Sequence, residues 1–456
     1  MVSTIAVQAA LPRSIPMQKS PFILIVMSLF ISACSLSDDN GNAAPQTGTA
    51  ACTVDAQKQF VLDTMNDVYF WNDLLPASVD LGAYATPEAL LDFLRSFQPL
   101  DNFSYIDSAA ADAQFFGAGQ YEGYGFSSRF DAVDDLRFTR VFSSSPAFLA
   151  GFDRGQRILM LNGRTIADIQ ANEGVGALFT QTPLEFMVRR LDGSEYTAIV
   201  DQGLVTIDPV PQWRVIDRPD GSAVGYLELA TFISTAEPAF VTAFAAFMQA
   251  GVNDVIIDLR YNGGGLVSTT ELLGDFLGGA TANNLTFSKT LFNANNAALN
   301  RTSFFQQLSA SINLSRLVVI ATGGTASASE LITNSMEPHA AVSIVGSNTF
   351  GKPVGQLGIE FCDKIIRPTA FESVNANDEG GYFDGLPADC DATDDLSIPV
   401  GADTDPNMTA ALTLLDTGAC PAVTVTPANL QKPLAERKSP QADRQGKPWR
   451  EFTNAW

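Results

Sequence analysis

The chain of 456 residues contains one histidine, His339, and its five cysteines form no C-x-x-C pair. A single imidazole excludes an H-E-x-x-H zinc site, and no cysteine spacing suits a thiolate site, so no metal site and no cofactor are implied. Basic charge is also scarce, with 27 Lys and Arg against 50 Asp and Glu and a formal net charge of −23. Binding a phosphate backbone requires clustered cations that displace counterions, so a nucleic-acid partner is not expected. The longest apolar run, near the N-terminus, spans about a dozen residues, short of the ~20 a membrane-crossing helix needs. What remains is ordinary globular material, 46% hydrophobic, long enough for two or three cores.

Charge and composition divide the chain at both ends. Residues 421–456 carry six Lys and Arg against three Asp and Glu, a net +3 that leaves −26 for the rest. This basic, polar stretch, taken as a C-terminal tail over 426–456, reads as a solvated extension. At the other end "MQKSPFILIVMSLFISAC", from Met17 to Cys34, has a basic start, an apolar run and small residues before the cysteine, the pattern of a secretory signal over 1–33. The signal is well formed from Met17, so residues 1–16 read as an over-extended start. Ile31, Ser32, Ala33 and Cys34 resemble a bacterial lipobox, which implies lipidation of Cys34 and anchoring to a membrane. Ser35 in place of an acidic residue favours the outer membrane, facing the periplasm. Residues 34–51, small and polar, suit a lipid-anchored flexible linker. The four remaining cysteines, Cys52, Cys362, Cys390 and Cys420, are an even number in an exported chain and imply two disulfides in one of three pairings. A bridge among the last three, or one reaching Cys52, would stiffen the segment over the site.

The body divides into three segments. Residues 52–118 read as helical: Val61, Met65 and Val68 recur at helical spacing, and Thr86 with Pro87 forms a helix start. Trp71, Phe93 and Phe97 in this segment are taken as core. Over 119–205 short alternating strands are separated by Gly and Asp turns. Here "GYGF" (Gly123, Tyr124, Gly125, Phe126) resembles the carboxylate-binding loop of PDZ domains. "SSPAFLAGFDRGQRILMLNGRTI" resembles the helix-turn-strand element of PDZ domains in bacterial proteases. The resemblance implies that backbone N–H groups hold a chain-terminal carboxylate while the sheet edge pairs with the incoming peptide. Gln156 stands where such domains usually carry Asp, read as a surface change. From about 206 to 425 apolar strands alternate with helices, which implies parallel strands, crossover helices and a site at the carboxyl ends of the strands. The chain is thus a multidomain α+β protein with an N-terminal helical segment, a β-rich PDZ-like domain and an α/β domain.

Three motifs follow strands of that last domain: Asn262-Gly263-Gly264-Gly265 after "VIIDLR", "GGTASASE" after "VVIAT", and "NTFGKPVGQ" after "SIVGS". "YNGGGL" has neither dinucleotide nor P-loop spacing, which leaves nucleotide binding without support. Ser327 fits two roles from one placement. It begins an S-x-x-E capping box with Glu330, and it stands at a helix start whose N–H groups would stabilise an oxyanion. A proton acceptor separates the two. His339 lies twelve residues on, about 18 Å along a continuing helix, at the wrong end to serve. Lys352, in a tight apolar setting between Phe350-Gly351 and Pro353-Val354, serves once burial or neighbouring charge favours its neutral form.

With these residues in place, "DLRYNGGG", "GTASASE" and "TFGKPVGQ" together resemble the serine peptidases of the carboxyl-terminal processing protease family, S41. The resemblance covers residues from about 120 to 360 and implies a crotonase-like α/β catalytic domain. It implies Ser327 as nucleophile, Lys352 as base and Gln356 as the residue orienting that base. The oxyanion donors carry over to the N–H of Ala328 and of one glycine of the triple-Gly turn, assigned to Gly264, while Ser329 stays a helix residue. The expected activity is cleavage of unfolded or C-terminally tagged polypeptides. A catalytically silent peptide-binding scaffold on the same fold is the alternative.

Overall fold

In the computed structural model residues 52–421 are described. The signal segment, Cys34 and the tail from 426 lie outside the described residues.

A six-stranded sheet carries the α/β segment. Its strand order is Gln212–Asp217, Ala223–Glu228, Asp254–Asp258, Arg316–Ala321, Ala341–Gly346 and Cys390–Asp391. The first pair is an antiparallel hairpin and every later pairing is parallel, as the crossover helices Glu237–Gln249, Val267–Ala282 and Ala328–Met336 require. Strand periodicity builds two cores. Leu227, Val255, Ile257 and Val319 face the crossover helices. Tyr226, Ile256, Val318 and Ile320 face the other side, where Met408, Ala411 and Leu415 of helix Pro406–Thr417 cover them. Each such fully buried Ile or Val stabilises the fold by about 1.5–3 kcal/mol.

A second, antiparallel sheet was not anticipated from local pattern. Arg301–Phe304, Thr286–Phe292, Thr369–Val374 and Val354–Gln356 pair in that order. Its last strand follows the Lys352 loop and ends on Gln356, so this sheet sets where the glutamine stands.

The N-terminal helices are not self-contained. Thr86 does cap Pro87–Arg95, accepting from Ala89 N at 3.2 Å, and Val61, Met65, Leu90, Leu91 and Leu94 form one buried face. That face closes on Ile366, however, and Phe60 stacks on Phe361 at 4.5 Å. Strand Tyr105–Ser108 pairs with Lys364–Arg367, and Cys52 is bridged to Cys362. Helices of about two and a half and four turns have too little mutual surface to bury such a stripe alone, so distant strands complete it. Phe97, expected in the core, is 40% exposed. The second disulfide joins Cys390 to Cys420.

Between these parts lies a β-rich body with its own aromatic core, including Phe126, Phe138, Phe152 and Phe186. Five strands run Phe126–Ala132, Asp135–Val141, Arg157–Leu161, Leu184–Arg189 and Glu195–Val200 in sheet order. The chain enters along Gln120–Gly123 and leaves along Gly203–Thr206, which pair side by side. Gln156 is not at the surface. It is 7% exposed, its amide donates to Gly151 O at 3.3 Å and its oxygen accepts from the Tyr196 hydroxyl at 2.9 Å. An amide can answer both a carbonyl and a hydroxyl, which a carboxylate cannot.

Candidate active site

Two loops at the carboxyl ends of neighbouring parallel strands meet at Ser327. After Asp254–Asp258 the chain turns through Tyr261, at φ 64°, into the glycines. Buried Asn262 holds the turn: its amide donates to Leu229 O at 2.8 Å and its oxygen accepts from Gly264 N at 2.9 Å. Gly264 has φ 109°, and a Cβ there would lie 2.8 Å from Ser327 Cβ and 2.9 Å from Ala328 N. Only glycine permits this approach, and the approach brings the turn against the serine.

After Arg316–Ala321 the chain reaches Ser327 at φ 57°, ψ −113°, immediately before helix Ala328–Met336. The expected capping box with Glu330 is formed, but an ordinary helix cap has extended backbone angles and Ser327 does not. A non-glycine residue held there stores about 1–3 kcal/mol, which surrounding contacts must impose. Ser327 is partly exposed, whereas Ser329 is fully buried and donates from Oγ to Asn262 O at 2.9 Å.

Glu330 is the contact that holds both loops. It is fully buried, and its two oxygens accept from Ser327 N at 2.9 Å, Lys352 N at 2.8 Å, Gly351 N at 2.7 Å and Thr349 Oγ1 at 2.5 Å. Burial raises the Glu330 pKa above its ordinary value, and these four donors pull it partly back. Sequence reasoning saw Glu330 only as half of a capping box. The S-x-x-E spacing was the available signal, but its partners on the lysine loop lie 19 to 22 residues away.

Lys352 is 4% exposed, beside a small apolar cluster of Phe103, Ala326, Phe350 and Val354. Its Nζ donates to Gln356 Oε1 at 2.7 Å. The Gln356 amide in turn donates to Phe103 O at 2.7 Å and Arg367 O at 3.0 Å. Two carbonyls on the nitrogen side fix which end of the amide faces the lysine. His339 lies past the far end of the helix, its ring nitrogen bonded to Thr286 O at 2.8 Å and its ring edge-on to Phe305.

The two expected oxyanion donors differ in availability. Among the described residues neither Ala328 N nor Gly263 N has a protein acceptor, while Gly264 N is committed to Asn262 Oδ1. Gly264 N would have to leave that bond to meet an oxyanion, whereas among the described residues neither Gly263 N nor Gly265 N has a protein acceptor. In the β-rich body Tyr124 and Phe126 are core side chains, with the Tyr124 hydroxyl bonded to Gln181 O. Gly125, at φ 86°, packs against Ser145, and Gly123 ends its strand. Only the backbone of these four residues is left to meet a ligand, and the strand that follows, Phe126–Ala132, is a sheet edge.

The β-rich body is tied to the floor of the site. Asp394 receives Arg129 and Arg154 from that body at 2.5 and 2.7 Å, Arg260 at 3.1 Å, and the Tyr261 hydroxyl. Burial pushes the Asp394 carboxyl up, but the three guanidinium groups and the hydroxyl outweigh it and hold the pKa at about 2. Arg260 also pairs with Asp258 and Asp405 at 2.6 and 2.5 Å. Sequence reasoning missed this cluster. Among the described residues no group of three or more His, Cys, Asp and Glu could hold a metal ion, and no helix is long and apolar enough to cross a membrane.

Comparison with known proteins matches two segments of the chain to one peptidase family. Residues 223–390 match the profile of Peptidase family S41, and residues 56–105 match that of the Peptidase S41 N-terminal domain. The chain is similar to a carboxyl-terminal-processing protease of Picosynechococcus, 25% identical over 261 residues that cover 54% of this chain and 58% of the relative. It is also similar to the carboxy-terminal processing protease CtpA of Bacillus subtilis, 24% identical over 275 residues covering 59% and 55%. The chain thus spans somewhat over half the length of the curated relatives it matches. A solved structure from Bacteroides fragilis, named as an S41 protease, shares the fold at a TM-score of 0.63 and 23% identity, covering 79% of this chain and 97% of that one.

Proposed function

We propose that this chain is a serine-type peptidase of family S41 that cleaves peptide bonds with Ser327 as nucleophile and neutral Lys352 as general base. The Ser327 hydroxyl proton passes to Lys352 Nζ as Oγ bonds to the peptide carbonyl carbon. The oxyanion is met by the N–H of Ala328 and of the triple-Gly turn. When the C–N bond breaks, the Lys352 ammonium returns its proton to the leaving amine. Water then attacks the acyl-enzyme with Lys352 again taking the proton, releasing a carboxylate and restoring Ser327.

The observation that carries this assignment is the Glu330 carboxylate. It binds the backbone of a strained serine and that of a buried lysine, with the lysine amine already bonded to an oriented glutamine. A helix cap alone has no use for the second loop. We further propose that the β-rich body acts as a PDZ-like module that captures substrate C-termini by strand addition along Phe126–Ala132. In this proposal Cys34 is lipidated and holds the enzyme at the periplasmic face of the outer membrane, where unfolded or tagged polypeptides are the substrates.

The test is cleavage of an unfolded protein by the parent, Ser327→Ala and Lys352→Ala between pH 6 and 10. Folded but inactive variants, with parental activity rising as an amine deprotonates, are the expected result. Equal inertness of all three toward several substrates, with peptide binding retained, would instead assign a silent binding protein.

A further inference from the structure

Phe103 is contributed by the end of the N-terminal segment, and it touches both partners of the lysine–glutamine pair. Its carbonyl accepts from Gln356 Nε2 at 2.7 Å. Its ring, 2% exposed, has Lys352 Nζ 5.4 Å from the centroid and meets the Phe350 ring at 6.3 Å. A dedicated clip holds it there. Asp101, itself 4% exposed, accepts from Phe103 N and Ser104 N at 3.0 Å each and from Ser104 Oγ at 2.6 Å. Thr369 of the antiparallel sheet closes the clip, donating from Oγ1 to Asp101 and from N to Ser104 Oγ. Such a knot fixes backbone placement over a span of only four residues.

We infer that Phe103 is a positioning residue for the Lys352 base: its carbonyl sets the orientation of Gln356, and its ring face sets the proton balance of the amine. This rests on the assignment of Lys352 as base. An aromatic face attracts an ammonium but not a neutral amine, so the ring holds the proton on Lys352 more tightly than an equally apolar cover would. The other charged and titratable groups around the lysine loop are Glu330, Tyr382, which feels the Glu330 charge, Asp101, and Arg367, whose guanidinium pairs with Asp112 and lies over Phe116. A change confined to the Phe103 ring leaves all of these in place.

Replacing Phe103 by ring-fluorinated phenylalanines keeps its shape while draining the negative face. The acid limb of the kcat/KM–pH profile is expected to move to lower pH with each added fluorine, by about one pH unit for the pentafluoro ring. Phe103→Tyr keeps the face and should keep the parental limb, whereas Phe103→Leu should move it as the pentafluoro ring does. An acid limb that stays in place across the fluorinated series overturns the inference, even if rates fall throughout, because packing alone changes rate without moving the limb. Lys352→Ala is run alongside. If it cleaves like the parent, the base assignment itself is wrong; if it is inactive while the limb stays fixed, only the role of Phe103 is lost.

Discussion

Removing the Glu330 carboxylate should separate a connecting role from a capping one. In Glu330→Ala the amides of Ser327, Gly351 and Lys352 lose their acceptor in a fully buried place, together with the Thr349 hydroxyl. Each orphaned buried donor costs about 1–3 kcal/mol. Water entering the vacated volume would recover part of these four losses, leaving a net cost of about 3–5 kcal/mol. A lost helix cap alone costs about 1 kcal/mol. Glu330→Gln is isosteric, and its least unfavourable orientation puts the new NH2 toward Thr349 Oγ1, which can turn to accept. Gly351 N and the Thr349 hydroxyl proton then both lose the acceptor they share, so the cost is at least the ~1–3 kcal/mol of one orphaned donor. Activity should fall further than stability, because the carboxylate also imposes the Ser327 backbone angles. A displacement of about 1 Å at the nucleophile is worth about 100-fold in rate. Urea unfolding midpoints at constant slope give the stabilities, and kcat/KM on an unfolded substrate gives the second quantity. A Glu330→Ala protein within about 1 kcal/mol of the parent and within a few-fold of its activity would refute the connecting role.

Three further outcomes are expected. Asp394→Asn leaves three guanidinium groups around a neutral amide and should cost about 2–3 kcal/mol, what a carboxyl held at about 2 instead of 3.8 is worth. Because the Asp394 pKa is depressed to about 2, the parental advantage should be complete above about pH 4 and disappear as pH falls toward 2, measurable by unfolding of both proteins across that range. Asp275 behaves oppositely: burial lifts its carboxyl to about 6, so the parent loses stability as pH rises from about 4 through 6. Asp275→Asn keeps the acceptor for Gln306 N and, discounted for partial exposure, should be about 1 kcal/mol more stable at pH 7 and no more stable at pH 3.5; equal urea midpoints at pH 7 would contradict this. Finally, Cys52–Cys362 closes a loop of 310 residues and Cys390–Cys420 one of 30. Chain entropy assigns about 5.7 and about 3.6 kcal/mol to them, so the Cys52→Ser/Cys362→Ser pair should lower the urea midpoint more than the Cys390→Ser/Cys420→Ser pair.

The parallel sheet was legible because its determinants are local. "VVIAT" and "VIIDLR" are uninterrupted apolar runs closed by turn residues, as strands covered on both faces must be. The antiparallel sheet was not, since Thr286–Phe292, Val354–Gln356 and Thr369–Val374 pair residues up to 85 positions apart, which leaves no periodic mark. Gln156 misled for a related reason: its partner Tyr196 is 40 residues away, and a polar residue after glycine otherwise reads as surface.

The site divides along the same line. His339 could be excluded from helix length alone, and the structure puts it beyond the helix end, bonded to Thr286 O. The triple-Gly turn was recognisable as a donor cluster, but not that Asn262, two residues before Gly264, takes up that glycine's amide within the turn. What no local pattern could supply is the second layer. Gln356 needs a carbonyl 253 residues away, and Asp394 needs an arginine 265 residues away. Gln356 can face its lysine in only one orientation because Phe103 and Arg367 both offer acceptors, and Phe103 is in reach only because Asp101 and Thr369 clip the N-terminal segment down. The short motifs therefore name the proposed reacting groups, while the geometry that would let a lysine act as a base is assembled from the segment farthest from it in the chain. A catalytic domain begun at residue 223 would keep Ser327, Lys352 and Gln356, yet lose the carbonyl and the ring that position the last two.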